Sequence, residues 1–192
     1  MKIFQNAFEA GRWSPGAAVA IGKFDGMHRG HQALIRSAVK QARASGRRCV
    51  VITFDPSAEQ FRRLYPYRPI LSTAKRIEIL ESLGVDAVVL IPFDEGLACM
   101  SPESFAELVL ATELKAKDVY VGEDFCFGKD RAGSVATLAA LGPKMGFRVH
   151  CVRLARVGGE KISAAKIRGL IEKGEKAEAE RLLGWTLDES GF

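Results

Sequence analysis

The chain has 192 residues, with 28 Lys and Arg against 23 Asp and Glu, a formal net charge of +5 that suits a polyanionic small ligand. Hydrophobic residues make up 47% and the mean hydropathy is +0.02, which fits one domain with a sizeable core rather than a disordered chain. No apolar run is long enough to span a membrane, residues 1–6 lack the apolar stretch of a signal peptide, and the four scattered cysteines read as reduced core or loop thiols of a cytoplasmic protein.

The first predicted strand covers 17–21 and runs into Gly22-Lys-Phe-Asp-Gly-Met-His-Arg-Gly-His31. Gly22 and Gly26 let the backbone take positive φ and approach a ligand closely. A helix is expected over 30–44, with Ala33, Leu34, Ala38 and Ala42 on one face and Ser45-Gly46 at its end. Its amino end directs N–H groups and a positive dipole at whatever lies over the turn, and His28 and His31 stand on that same side. The junction therefore reads as a phosphate site. Lys23 precedes the second glycine, so the Walker A order fails, and the dinucleotide fingerprint is absent. No cysteine or acidic ligand accompanies the histidines, so no metal site is assigned. A turn that merely contains two histidines is the remaining plain reading. Arg29, Arg36, Lys40, Arg43, Arg47 and Arg48 read as a solvated face, not as a specific nucleic-acid surface.

A second strand, apolar throughout, covers 49–54. Residues 56–69 carry three prolines and two tyrosines and read as an irregular substrate-side segment. A helix follows over 72–83, capped by Ser72 or Thr73 and ended by Gly84, then a strand over 87–91. Ser101 caps a helix over 102–111 with Pro102 at its first position, and a strand covers 118–121. A helix over 134–145, bent or ended by Pro143, a strand over 147–152, and helices over 163–173 and 177–183 complete the chain. The alternation implies an α/β fold with a doubly wound, mostly parallel sheet, taken as a single domain over 1–192, with ligands at the carboxyl ends of the strands.

Four stretches carry a family resemblance: the Gly22–His31 motif, Val50-Val-Ile-Thr-Phe-Asp-Pro56, Val119-Tyr-Val-Gly-Glu-Asp-Phe-Cys-Phe-Gly-Lys-Asp-Arg-Ala-Gly133, and Ile162-Ser-Ala-Ala-Lys-Ile-Arg168. Together, and in this order, they resemble the prokaryotic FAD synthetases, a branch of the Rossmann-like HxGH nucleotidyltransferases. The resemblance runs from about residue 15 to Trp185. It implies transfer of AMP from ATP to FMN, giving FAD and pyrophosphate, with Mg2+ arriving on the ATP. His28, His31, Ser163 and Arg168 would carry the catalytic roles. Gly22, Lys23, Phe24, Asp25, Gly26, Gly30 and Lys166 would join them in holding ATP, with Phe24 and Asp25 near the ribose or adenine. Phe54, Asp55, Pro56, Asp124, Phe125 and Phe127 would lie on the flavin side, although core or turn roles suit Asp55, Phe125 and Phe127 equally well.

The chain also departs from the family pattern. Ser57 and Ala58 replace a His-Pro pair, Lys23 stands where asparagine is usual, Ala164 and Ala165 replace hydroxyl residues, and Lys166 replaces an arginine. Common family members continue into a riboflavin kinase barrel, which does not follow here, so FMN would come from a separate kinase. Two other readings stay open: a nucleotidyltransferase with another phosphorylated acceptor, and a non-catalytic nucleotide- or flavin-binding paralogue.

Overall fold

The structure is a computed structural model that describes residues 1–55, 69–153, 156–157 and 160–187. Candidate Pro56 and the departures at Ser57 and Ala58 lie outside the described residues. In chain order the elements begin β1 (Lys2–Phe4), α1 (Ala7–Trp13), β2 (Ala18–Ile21), α2 (Arg29–Ala44), β3 (Cys49–Phe54), α3 (Thr73–Ser82) and β4 (Ala87–Ile91). They continue with α4 (Glu95–Cys99), α5 (Pro102–Ser104), β5 (Asp118–Gly122), the hairpin β6 (Cys126–Phe127) and β7 (Gly133–Ser134), α6 (Val135–Leu141) and β8 (Arg148–Val152). A second hairpin, β9 (Arg156–Val157) and β10 (Glu160–Lys161), leads to α7 (Ala164–Glu172) and α8 (Lys176–Leu183).

Among the described residues six strands form one sheet in the order β1-β4-β3-β2-β5-β8, and every neighbouring pair is parallel. Alternate residues of the central strands feed two cores. Val19, Ile21, Val50, Ile52, Val119 and Val121 face α1 and the chain over Phe105–Glu113, while Ala18, Ala20, Val51 and Tyr120 face α2 and Leu80 of α3. A sheet covered on both faces explains why these strands lack a polar side. A third, smaller core joins Ile70 and Ile162 to the facing sides of α7 and α8. From β2 the order runs to β3 and β4 on one side and to β5 on the other, so a crevice opens at the carboxyl ends of β2 and β5.

Several features differ from the sequence reading, which had no place for α4 or for the two hairpins. The edge strand β1 and the seven-residue α1 were not expected, because three residues carry no usable period and α1 contains Gly11. That glycine is a packing requirement: a Cβ there would collide with the carbonyl oxygen of Glu113. The helix predicted over 102–111 is α-helical only in α5 and continues as a π-helix over Phe105–Glu113, a wider winding with no sequence signature. Of the cysteines, only Cys49 is in the core; Cys99, Cys126 and Cys151 are exposed.

The expected solvated basic face is also more engaged than its spacing implied. Arg29 donates to the Arg181 carbonyl, Arg48 stacks 3.9 Å over Trp13, and Arg47 pairs with the buried Asp118 at 2.8 Å. Burial alone would push the Asp118 carboxyl up, but hydrogen bonds from Arg148 and His150 hold it below the usual carboxylate range.

Candidate functional site

The turn after β2 is built from unusual backbone. Phe24 (φ 50), Gly26 (φ 76) and Met27 (φ 42) all lie in the left-handed region, which costs a non-glycine residue about 1–2 kcal/mol. Surrounding contacts hold it there. Thr53 and Arg76 both donate to the Lys23 carbonyl at 3.0 Å, and Trp185 Nε1 donates to the Gly26 carbonyl at 3.1 Å. Buried Gln32 bridges the Met27 and Leu183 carbonyls at 2.8 Å each. Strain over-determined in this way is a mark of functional turns.

The turn delivers His28 to the amino end of α2 as its N-cap. His28 Nδ1 accepts from the His31 N–H at 3.3 Å, so in the neutral ring the proton sits on Nε2. The α2 amino end thus offers one N–H fewer than expected. The two imidazoles stack with centroids 3.6 Å apart, and Phe24 meets His31 edge-on at 5.3 Å. His31 Nδ1 is buried and has no hydrogen-bond partner among the described residues.

Burial pulls His28 down to about 4, against the opposing pull of Asp124; burial, then the neighbouring His28, take His31 well below its ordinary range. Both rings are neutral at pH 7. An unfolded histidine titrates near 6.5, so between 6.5 and about 4 the unfolded chain binds more protons than the folded one. Stability is therefore full above pH 6.5 and falls as the pH drops towards 4. Thermal unfolding from pH 7.5 to 4 is expected to show a loss of about 3 kcal/mol from His28. His28→Gln should flatten that part of the slope, and an identical slope in the variant would contradict the assignment.

A cavity of about 380 Å³ opens over this turn, within the size range of small-molecule sites. From the predicted set it is lined by Gly22, Lys23, Phe24, Asp25, His28, His31, Phe54, Asp124, Phe125, Phe127, Ser163 and Arg168. Gly26, Gly30, Asp55 and Lys166 do not line it. Gly26 and Gly30 are buried.

Asp25, expected near the ribose or adenine, faces Arg168 at 2.6 Å and accepts from the Ile70 N–H at 2.9 Å. These two candidate ATP residues hold each other and tie the turn to α7. Ser163 caps α7, its Oγ accepting from the Lys166 N–H at 3.2 Å.

The far wall is aromatic. Phe54 meets Phe93 edge-on at 5.4 Å, Phe125 stacks on Phe127 at 5.3 Å, and Phe127 packs on Phe105 at 5.7 Å. Phe127 is a core anchor as much as a wall, whereas Phe125 is half-buried. Asp124 receives Lys161 at 2.6 Å. The sequence reading missed Phe93, just beyond β4, and Leu97 of α4, together with Arg131 and Lys161. One signal was available for the first pair: β4 ends at the same sheet edge as β2, so residues just beyond it had to reach the crevice.

Among the described residues no group of three His, Cys, Asp or Glu side chains could hold a metal ion, and no helix is long and apolar enough to cross a membrane.

The family described as FAD synthetase matches residues 12–166. A Geobacillus thermodenitrificans protein named for riboflavin kinase and FMN adenylyltransferase is 37% identical over 173 residues, 90% of this chain and 92% of that protein. The bifunctional riboflavin kinase/FMN adenylyltransferases of Pseudomonas fluorescens and Escherichia coli (strain K12) are each 31% identical, and the chain spans 54% and 56% of their lengths. A solved Streptococcus pneumoniae structure described as a macrolide-efflux protein shares 31% identity at TM-score 0.82, covering 96% of this chain and 60% of that one. Pantoate-beta-alanine ligase from Francisella tularensis, at 16% identity and TM-score 0.53 over 95% of this chain and 86% of its own, shares the fold.

Proposed function

The chain belongs to the FAD synthetase family, and from that premise we propose that it transfers AMP from ATP to FMN, releasing pyrophosphate and forming FAD. One observation carries the reading: the stacked His28–His31 pair, with a buried nitrogen that none of the described residues partners, opens into the same cavity as an aromatic wall. One end suits a polyphosphate, the other a flat ring system such as a flavin.

The chemistry asks for little acid–base work. The second pKa of a phosphate monoester is about 6, so FMN is already largely dianionic at neutral pH. Its oxygen attacks the α-phosphorus in line, the bond to the pyrophosphate oxygen breaks, and pyrophosphate leaves with that electron pair. The protein must align the two phosphates and neutralise charge on the α-phosphoryl oxygens. Neutral His28 suits this as a donor through Nε2–H. Lys23, Arg131, Lys161 and Arg168 bring positive charge to the same cavity.

Asp25 and Asp124 are both committed to cations, so the described residues form no metal cage. Mg2+ fits this site as part of the substrate, coordinated by ATP. We place the reaction in the cytoplasm, with FMN supplied by phosphorylation of riboflavin.

The test incubates the purified chain with Mg-ATP and FMN and follows products by chromatography. FAD and pyrophosphate in equal amounts are expected. ATP binding with no FAD at any FMN concentration would overturn the reading and point to another phosphorylated acceptor.

A further inference from the structure

The histidine turn is seated on the last elements of the described chain. A Cβ on Gly26 would meet Ile70 at 3.0 Å and Leu183 at 3.5 Å, two members of the third core, and Trp185 packs on that same core. Trp185 lies just past α8, where Gly184 (φ 78) turns the chain. From there its Nε1 donates to the Gly26 carbonyl, 159 residues away in sequence. Gln32, 8% exposed, supplies a second tie by donating from Nε2 to the carbonyls of Met27 and Leu183. The two carbonyls immediately before His28 are thus held by Trp185 and by a glutamine anchored on α8.

The peptide joining Gly26 and Met27 has a competing orientation. Its N–H reaches the Phe24 carbonyl at 3.4 Å, long for a hydrogen bond, so the restraint falls mainly on its carbonyl side. Flipping this peptide would return Met27 (φ 42) to negative φ and leave Gly26 (φ 76) in a region that glycine occupies freely. The flip removes one left-handed residue and loses one hydrogen bond, two effects of similar size. The next residue is His28, so the direction of this peptide sets where its imidazole stands.

We propose that Trp185 is a positioning residue for the histidine turn: by holding the Gly26 carbonyl it keeps the Gly26–Met27 peptide unflipped and His28 stacked on His31. Trp185 does not line the cavity, so it acts through the turn and not on a substrate. The kinetic consequence rests on the adenylyltransferase reading; the geometry of the turn does not.

The test compares wild type with Trp185→Phe, which keeps an aromatic ring and removes the donor. Leu182→Ala is the control, because Leu182 is 2% exposed in the same third core and its truncation weakens that core without touching the Gly26 carbonyl. The first readout is the NMR titration of the histidine rings from pH 7.5 to 4.5. His28 faces His31 on α2 and feels Asp124 and Lys161, none of which either variant alters. In wild type burial takes His28 down to about 4. In Trp185→Phe the loosened turn admits water, so His28 should ionise about one pH unit higher, while Leu182→Ala should titrate like wild type.

The second readout is FAD formation. Trp185→Phe should lower kcat about tenfold and leave the KM for ATP within about twofold of wild type, the mark of a contact needed in the transition state. Leu182→Ala should lower the unfolding temperature and keep the wild-type kcat below it. An unchanged His28 titration in Trp185→Phe would overturn the inference, whatever the kinetics. So would the same shift in Leu182→Ala, which would make Trp185 a packing residue and nothing more. If wild type forms no FAD, the adenylyltransferase reading falls, and the His28 titration still decides this one.

Discussion

Replacing His28 by alanine is expected to lower the rate of FAD formation by about 10²–10³-fold, the usual cost of removing one preorganised donor to a transition-state oxygen. The donor is a neutral imidazole: Nδ1 is occupied by the His31 N–H and Nε2 carries the proton. Alanine also removes the N-cap of α2, which costs about 1 kcal/mol of stability and must be separated from the catalytic loss. His28→Asp makes the separation. Aspartate caps a helix well but sets a negative charge against the phosphates, so this variant should keep the α2 amino end capped, lose some stability to burial of its carboxylate, and make almost no FAD. Single-turnover rates and thermal unfolding on the three proteins decide the matter. Wild-type rates in either variant would remove His28 from the mechanism.

Gly128→Ala should be the most damaging single-methyl change near the cavity. Gly128 has φ 74 and ψ 175, a region open essentially to glycine alone, which costs other residues about 1–3 kcal/mol. A Cβ would also stand 2.7 Å from Pro102 N and 2.8 Å from two of its ring carbons. Proline at the start of α5 cannot swing aside as a flexible side chain would. Combined, these effects are expected to destabilise the chain by about 3 kcal/mol or more. The loop has little slack, since Asp130 (φ 54) and Arg131 (φ 58) are already left-handed. Relaxation would displace Phe127 and Arg131 together, weakening FMN binding. Chemical denaturation and FMN titration measure the two effects. A variant as stable as wild type, with unchanged FMN affinity, would contradict the account.

The parallel sheet was legible because its strands are short apolar runs between well-marked helices. Cys49–Phe54 and Ala87–Ile91 lie where the periodicity placed them, and Ser72, Ser101 and Ser163 cap the helices they were expected to cap. The π-helix, β1 and α4 left no local trace, since their residues are fixed by what they pack on.

The candidate site divides along the same line. Sequence alone determined the histidine turn, the family and the strand ends at which the crevice opens, because each depends on residue type and spacing within a short stretch. Tertiary structure decided that Asp25 is spent on Arg168, that the histidines stack and are neutral, that Phe93 and Leu97 complete the wall, and that Arg76 reaches beneath Lys23. Each of these joins residues distant in the chain or depends on burial. No local pattern encodes desolvation or a partner that only the folded sheet brings within reach.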